Sequence, residues 1–197
     1  MPNNQKFNTP QHFDNLFRTL SSDRFLNKEG LGGNRAIFIQ PYPISEQKEV
    51  DIHIKLLVKR LEQNSKSVLA INLYELCLLI LESKNILQKI FSDEKNIPKH
   101  EFRKKIRGSL DIEKTVLPAI NNLIQKNEHS LILFYGIDKV YPILSIPPIL
   151  ENIQSILNNE PIIFFYPGQY NNFSLNLFGM INEYNEYRAF NLNNYLK

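Results

Sequence analysis

The sequence predicts an α/β fold: one three-layer domain with a mostly parallel central sheet of about five strands, helices on both faces and an N-terminal helical arm. Three observations carry that prediction. Short apolar runs rich in β-branched and aromatic residues alternate with stretches of helical periodicity along most of the chain. Those runs are continuously apolar, as strands covered on both faces are. At 197 residues, 43% of them hydrophobic and 22% charged, the chain can bury one sizeable core. No internal repeat or low-complexity linker divides it. Residues 1–34 are therefore expected to form the arm and its connector, and residues 35–197 the α/β domain.

Taken in order, Thr9 is expected to cap a first helix with Pro10 at its first position, and Phe13, Leu16, Phe17 and Leu20 recur at helical spacing. Residues 29–34 (EGLGGN) form a connector, and residues 36–40 (AIFIQ) the first strand, ended by Pro41-Tyr42-Pro43. Ser45 is expected to cap the next helix. Its acids Glu46, Glu49 and Asp51 come early and its cations Lys55, Lys59 and Arg60 late, as the helix dipole favours. Val50, Ile54, Leu57, Val58 and Leu61 are its buried stripe. Residues 67–72 read as the second strand and residues 74–91 as a largely buried helix.

The charged segment 92–108 breaks this rhythm, with Pro98 opening a short helix. Residues 111–127 are helical by spacing. Pro118 falls inside them, and since an interior proline costs ~3 kcal/mol, a kink or two short helices are predicted. Residues 131–135 are the third strand, ended by Gly136; residues 141–148 are a proline-rich loop before a helix carrying Ile149, Ile153, Ile156 and Leu157.

The most informative run is residues 161–179, PIIFFYPGQYNNFSLNLFG. Residues 162–166 read as the fourth strand, and Pro167-Gly168 as a turn. Asn172 and Gly179 are then the cap and stop of a short helix, clamped to the sheet by Phe173, Leu175 and Phe178. Tyr170, Asn171 and Asn172 remain as its exposed part. Residues 188–192 read as a last strand.

Composition and motifs narrow the function. A net charge of +3 gives no whole-surface attraction to nucleic acid or anionic lipid, which leaves the local basic run Lys99, Arg103, Lys104 and Arg107 as the candidate nucleic-acid contact. The N-terminus has no apolar leader. The longest apolar run, residues 68–81, is interrupted by Asn72 and Glu75 and falls short of the ~18 residues of a spanning helix. A cytoplasmic protein with no membrane partner is expected. Cys77, the single cysteine, lies in an apolar run and reads as a buried hydrophobe. The four histidines have no metal-ligand spacing, residues 29–34 lack the Lys-Ser or Lys-Thr of a phosphate loop, and no G-x-S-x-G elbow occurs. No catalytic, cofactor-binding or metal-binding residue is assigned. A site would lie at the carboxyl ends of the strands, where the chain places Tyr42, Asn72, Tyr74, Glu75, Gly136, Asp138, Pro167, Gly168 and Tyr170. Asp138 and Glu75 are the carboxylates that could meet there as a pair.

The run EPIIFFYPGQYNNFSLNLFG (160–179), followed by EYRAFNL (186–192), resembles the C-terminal signature of the BrxB family, small accessory proteins of bacterial BREX phage-resistance systems. GIDKVYPIL (136–144) resembles the family's segment after the third strand; IFIQPYP (37–43) and AINLYEL (70–76) resemble its N-terminal half more loosely. This chain has Gln169 where the family commonly has an acid, and Glu186-Tyr187 where paired aromatics precede the Arg-Ala-Phe. A glutamine cannot serve as a general base, which leaves the loop a packing or docking role. The resemblance implies a non-catalytic adaptor, without cofactor, in a system that excludes phage and methylates host DNA. The implied partner is a PglZ-type protein of the alkaline-phosphatase superfamily, with the large ATPase and the adenine-specific methyltransferase as further candidates. The candidate partner-binding residues are Tyr42, Tyr74, Gly168, Tyr170, Asn171, Tyr187 and Arg188. Two other readings stay open: a DNA-binding accessory using residues 99–107, and a degenerate nucleotide-binding domain suggested by the layout alone.

Overall fold

The computed structural model describes residues 7–29, 37–156, 160–171, 174–184 and 189–196. Seven strands are present among them: β1 (Ile37–Tyr42), β2 (Val68–Asn72), β3 (Leu131–Tyr135), β4 (Ile162–Tyr170), β5 (Ser174–Leu177), β6 (Ile181–Tyr184) and β7 (Phe190–Asn191). Five of them run parallel in the order β2-β3-β4-β1-β7. This is the predicted α/β fold with its mostly parallel sheet.

The apolar runs sit centrally and are covered on both sides. One face presents Phe38, Leu131, Leu133, Ile163 and Phe165 to α1 (Thr9–Leu20), α2 (Asp23–Leu26) and α3 (Gln47–Gln63). The other presents Ile37, Ile39, Ile132, Phe134, Ile162 and Phe164 to α4 (Leu73–Ser83) and α5 (Leu87–Asp93). Helix α6 (Lys99–Ser109) leans on that face only through Phe102 and Ile106, whereas α7 (Leu117–Lys126), α8 (Ile137–Val140) and α9 (Ile146–Ile153) bury whole stripes against it. Stacked rings reinforce the core: within the sheet Phe134 of β3 lies 4.6 Å from Phe164 of β4, and between layers Phe13 of α1 lies 5.8 Å from Phe165. Arg60 of α3 pairs with Asp14 at 2.7 Å and lies 4.3 Å over the Phe17 ring, holding α1 along α3.

Several boundaries differ from the sequence reading for local reasons. Asn8, not Thr9, caps α1: its side chain accepts from the Gln11 N–H at 3.2 Å, while the Thr9 hydroxyl donates to Glu46 Oε2. A 3₁₀ turn, Ile44–Glu46, precedes α3, so Ser45 is not that helix's cap. Strand β1 continues through Pro41 to Tyr42. Strand β7 pairs only with Phe38 and Ile39, so beyond them β1 has an open edge, where a residue without an N–H is tolerated. The helix expected over 74–91 stops after Ser83. Asn85 is left-handed (φ 55), and the Asn85 and Ile86 N–H groups donate back to Glu82 and Leu81, which is a Schellman end built on asparagine. Pro118 falls in the first turn of α7 behind the wide turn Ile112–Val116, where its missing N–H costs nothing, as the two-helix alternative requires.

The largest departure follows Tyr166. Pro167-Gly168 does not turn the chain and no helix follows. Strand β4 runs on to Tyr170, leaves its parallel neighbours at Pro167 and pairs antiparallel with β5, which pairs with β6. The residues SLNL alternate, with Leu175 and Leu177 buried and Ser174 and Asn176 half-buried: the two-residue period of a strand. Gly179 closes the β5–β6 turn with Phe178, both left-handed, and the Met180 N–H donates to Leu177 O. Phe178 meets Tyr141 edge-on. Asn172 and Phe173, the expected cap and clamp, lie outside the described residues.

Candidate functional site

The chain leaves β1 for α3 on one face and leaves β3 for α8 on the other, with β4 between them. That divergence opens the carboxyl edge, the customary place of a ligand or partner in such a sheet. Two neighbouring features occupy it.

The first is a hydrogen-bonded chain from β1 to α8. The Tyr42 hydroxyl donates to Gln47 Oε1 at 2.6 Å, Gln47 Nε2 donates to Asp51 Oδ1 at 2.9 Å, and Lys139 Nζ donates to Asp51 Oδ2 at 2.6 Å. Beside it, Asn72 caps α4. Its Oδ1 accepts from the Tyr74 and Glu75 N–H groups, and its Nδ2 donates to Glu75 Oε1 at 3.0 Å. Gly136 is left-handed and stands so close to that cap that a Cβ would lie 2.3 Å from Asn72 Oδ1, so the cap needs a glycine here.

The electrostatics follow from this crowding. Hydrogen bonding to Asp51 raises the Lys139 ammonium above the ordinary lysine value, with Asp138 and Glu75 adding to it. The two carboxylates expected as a pair thus both bear on Lys139. Burial raises the Asp138 carboxyl and outweighs Lys139; its Oδ1 is buried with no hydrogen-bond partner. Burial, then Asp138 and Asp51, pushes the Tyr42 phenol far up; burial, then Glu75, raises that of Tyr135. Both tyrosines are neutral. The arrangement fastens α3 to α8 across the sheet, and its charges are already engaged. Gln47, Asp51, Tyr135 and Lys139 escaped sequence reasoning. The available signal was the Gln47–Asp51 four-residue spacing on the helix after the first strand.

The second feature is an open groove of about 520 Å³ at the ends of β1, β4 and β7, lined among others by Pro43, Ile44, Gly168, Gln169 and Phe178. The structure corrects two docking candidates here. Tyr170 is only 5% exposed; its hydroxyl donates to Ala189 O at 2.7 Å and its carbonyl accepts from Asn191 Nδ2. Tyr42 is 3% exposed. Both line the groove as supports, not as surface anchors. Gly168 is half-buried, Asn171 and Tyr74 are exposed, and Tyr187 and Arg188 lie outside the described residues. Of the lining side chains, Ile44 is apolar and 43% exposed, beside the half-buried Phe178; Met180, 77% exposed, follows the lining Gly179 in the chain.

The basic candidates lie apart, on α6. Lys99, Arg103 and Lys104 are exposed and have no ion-pair partner among the described residues. Arg107 is bound to the Pro142 carbonyl through Nε at 3.0 Å and through Nη2, which makes it a strut to the loop before α9. Lys105 pairs with Asp93. Phe102, the only aromatic of that run, faces the core instead of offering a stacking surface.

Among the described residues no group of three His, Cys, Asp or Glu could hold a metal ion, and no helix is long and apolar enough to cross a membrane. Cys77 is buried, which pushes its thiol up to about 11 and keeps it unreactive.

The family model described as BREX protein BrxB matches residues 69–192, from β2 to the end of the last strand. A BREX protein BrxB of Bacillus cereus (strain H3081.97) is 30% identical over 186 residues, 92% of this chain and 96% of that protein. A BREX protein BrxB of Escherichia coli O9:H4 (strain HS) is 23% identical over 173 residues, 88% of this chain and 86% of that protein. No solved structure matches. With a family match over more than half its length and a relative aligned nearly end to end, this chain belongs to the BrxB family.

Proposed function

We propose that this chain is a non-catalytic accessory component of a BREX phage-defence system and docks a larger component of that system through the groove at the ends of β1 and β4. Its relatives, BREX proteins by name, support the system. One observation carries the docking: Ile44 holds a large apolar side chain in water on a preformed groove whose floor is fixed by buried tyrosines, and the exposed Met180 follows directly on the lining Gly179. Apolar side chains of this kind are what the core of an interface covers. The neighbouring acids support the same reading, because Asp51 is held by Gln47 and Lys139 and is not poised toward an open site. The partner this reading expects is the PglZ-type protein, ahead of the ATPase and the methyltransferase.

The test is capture of tagged protein co-expressed with each of those three components. Retention of the PglZ-type protein is expected, with a loss of about tenfold or more in Ile44→Asp/Met180→Asp at unchanged melting temperature. If no component is retained, or if the double variant retains the PglZ-type protein as well as the wild type does, the proposal fails.

A further inference from the structure

A second cavity lies on the α1–α3 face, well away from the strand ends. It measures about 400 Å³ and is lined by Arg18 and Thr19 of α1, Ser22, Arg24 and Phe25 around α2, Lys28 and Glu29 beyond it, and Asn194, Tyr195 and Leu196 at the far end of the chain. Its floor is aromatic. Phe25 packs on Phe38 at 4.9 Å, and Tyr195 meets Phe38 edge-on at 5.3 Å. Phe38 is four residues before Tyr42 along β1, so roughly 13 Å of strand separates this floor from the groove described above.

Three features of the cavity point the same way. Among the described residues Arg18, Arg24 and Lys28 line it with one carboxylate, Glu29. Arg18 and Arg24 stand in the last turns of α1 and α2, where each suits its own helix dipole, but that preference does not account for their convergence on one cavity. Neither arginine forms an ion pair among the described residues. Thr19 is only 6% exposed, and its Oγ1 has no hydrogen-bond partner. Buried hydroxyls are ordinarily satisfied, and Thr19 is one of the residues around this cavity. The Ser22 hydroxyl, by contrast, already donates to Thr19 O at 2.7 Å. Last, the volume is in the range of a small-molecule site and far exceeds a bare phosphate, and the wall also carries a ring and apolar surface from Phe25, Tyr195 and Leu196, beside the polar Ser22 and Asn194.

We propose that this cavity binds a small organic phosphate of nucleoside-monophosphate size. The phosphate is held by Arg18 and Arg24 with a hydrogen bond from Thr19, and the ring lies along Tyr195 and Leu196. Arginine is suited to the first task because its planar fork matches phosphate oxygens two at a time. Tyrosine offers the second a flat face at small entropic cost. The site requires neither the docking groove nor a BREX partner.

Isothermal titration of the full-length protein with AMP and with inorganic phosphate, at one fixed ionic strength, tests it. AMP is expected to bind about tenfold or more tightly than phosphate. Arg18→Ala/Arg24→Ala is expected to weaken AMP about tenfold or more, and Thr19→Val about threefold, at unchanged circular dichroism. Should the double variant lose its fold, Arg24→Glu, at an exposed position, carries the same test. Absence of AMP binding by the wild type, or binding undiminished in the arginine variants, overturns the proposal. Equal affinity for phosphate and AMP also overturns it, and so does uptake of a 5′-phosphorylated oligonucleotide without uptake of AMP.

Discussion

Gly168 of β4, paired with Leu177 of β5, lies so close to the neighbouring Asn176 that a Cβ on Gly168 would stand 2.0 Å from the Asn176 carbonyl oxygen. Gly168 also has φ 153, a conformation side chains rarely adopt. The glycine therefore serves the backbone, letting β4 change partners just after Pro167. Gly168→Ala should cost about 3 kcal/mol or more from strain and overlap with a backbone that cannot yield. Gly179→Ala, left-handed but facing open space, should cost about 1 kcal/mol. Urea denaturation of the two variants checks the order; equal costs would mean that the close approach is not what requires Gly168.

Tyr170 is a second residue whose place in the fold replaces its expected place on the surface. Its hydroxyl reaches the Ala189 carbonyl 19 residues on, fastening the approach to β7 onto the hairpin. Tyr170→Phe should lose about 1 kcal/mol of stability and leave partner capture intact. Lost capture at an unchanged melting temperature would restore Tyr170 as a docking residue.

How far the sequence could be read depended on the range of the forces that set each element. Strand β3 was legible to the residue, because five consecutive apolar residues ended by a glycine have few other uses. Helix α1 was legible from its spacing, and its cap was missed by one position because Asn8 and Thr9 are both good capping residues. The β5–β6 hairpin was not legible from Pro167-Gly168, which ordinarily turns a chain; the decisive contact, the Asn176 carbonyl beside Gly168, comes from folding the hairpin back. The candidate site divided the same way. The carboxyl edge of the sheet could be located from topology alone, whereas Asp51 and Lys139 are 88 residues apart and meet only because α3 and α8 diverge around β4.

On α6, the exposed Lys99, Arg103 and Lys104 are the residues left to carry any contact with DNA, since Arg107 is held by Pro142. Reversing those three charges should remove any binding of a short duplex at low salt. The wild-type affinity should fall with salt at a log–log slope of about −3 if all three neutralise phosphates. Binding that survives the reversal, or that ignores salt, rejects the patch.

The buried Oδ1 of Asp138 should appear in the acid side of the stability curve. Burial raises this carboxyl above its unfolded value, Lys139 opposes the rise, and Asp51 from α3 adds to it. A raised carboxyl pKa means the native state keeps a proton that the unfolded state has released. Stability from this group is therefore whole below the unfolded value of about 3.9 and is lost as pH climbs through the raised native value. Asp138→Asn abolishes that loss. The variant should gain stability relative to wild type between about pH 4 and the native pKa, with the difference constant above it. Lys139, also raised, acts at the other end: its contribution is whole below the unfolded lysine value of about 10.4 and disappears as pH rises through the higher native one. Urea denaturation of wild type and Asp138→Asn at pH 3, 5 and 7 separates the two groups, because only Asp138 titrates there. A difference that does not change across those three pH values would show that the Asp138 carboxyl is not raised by its burial.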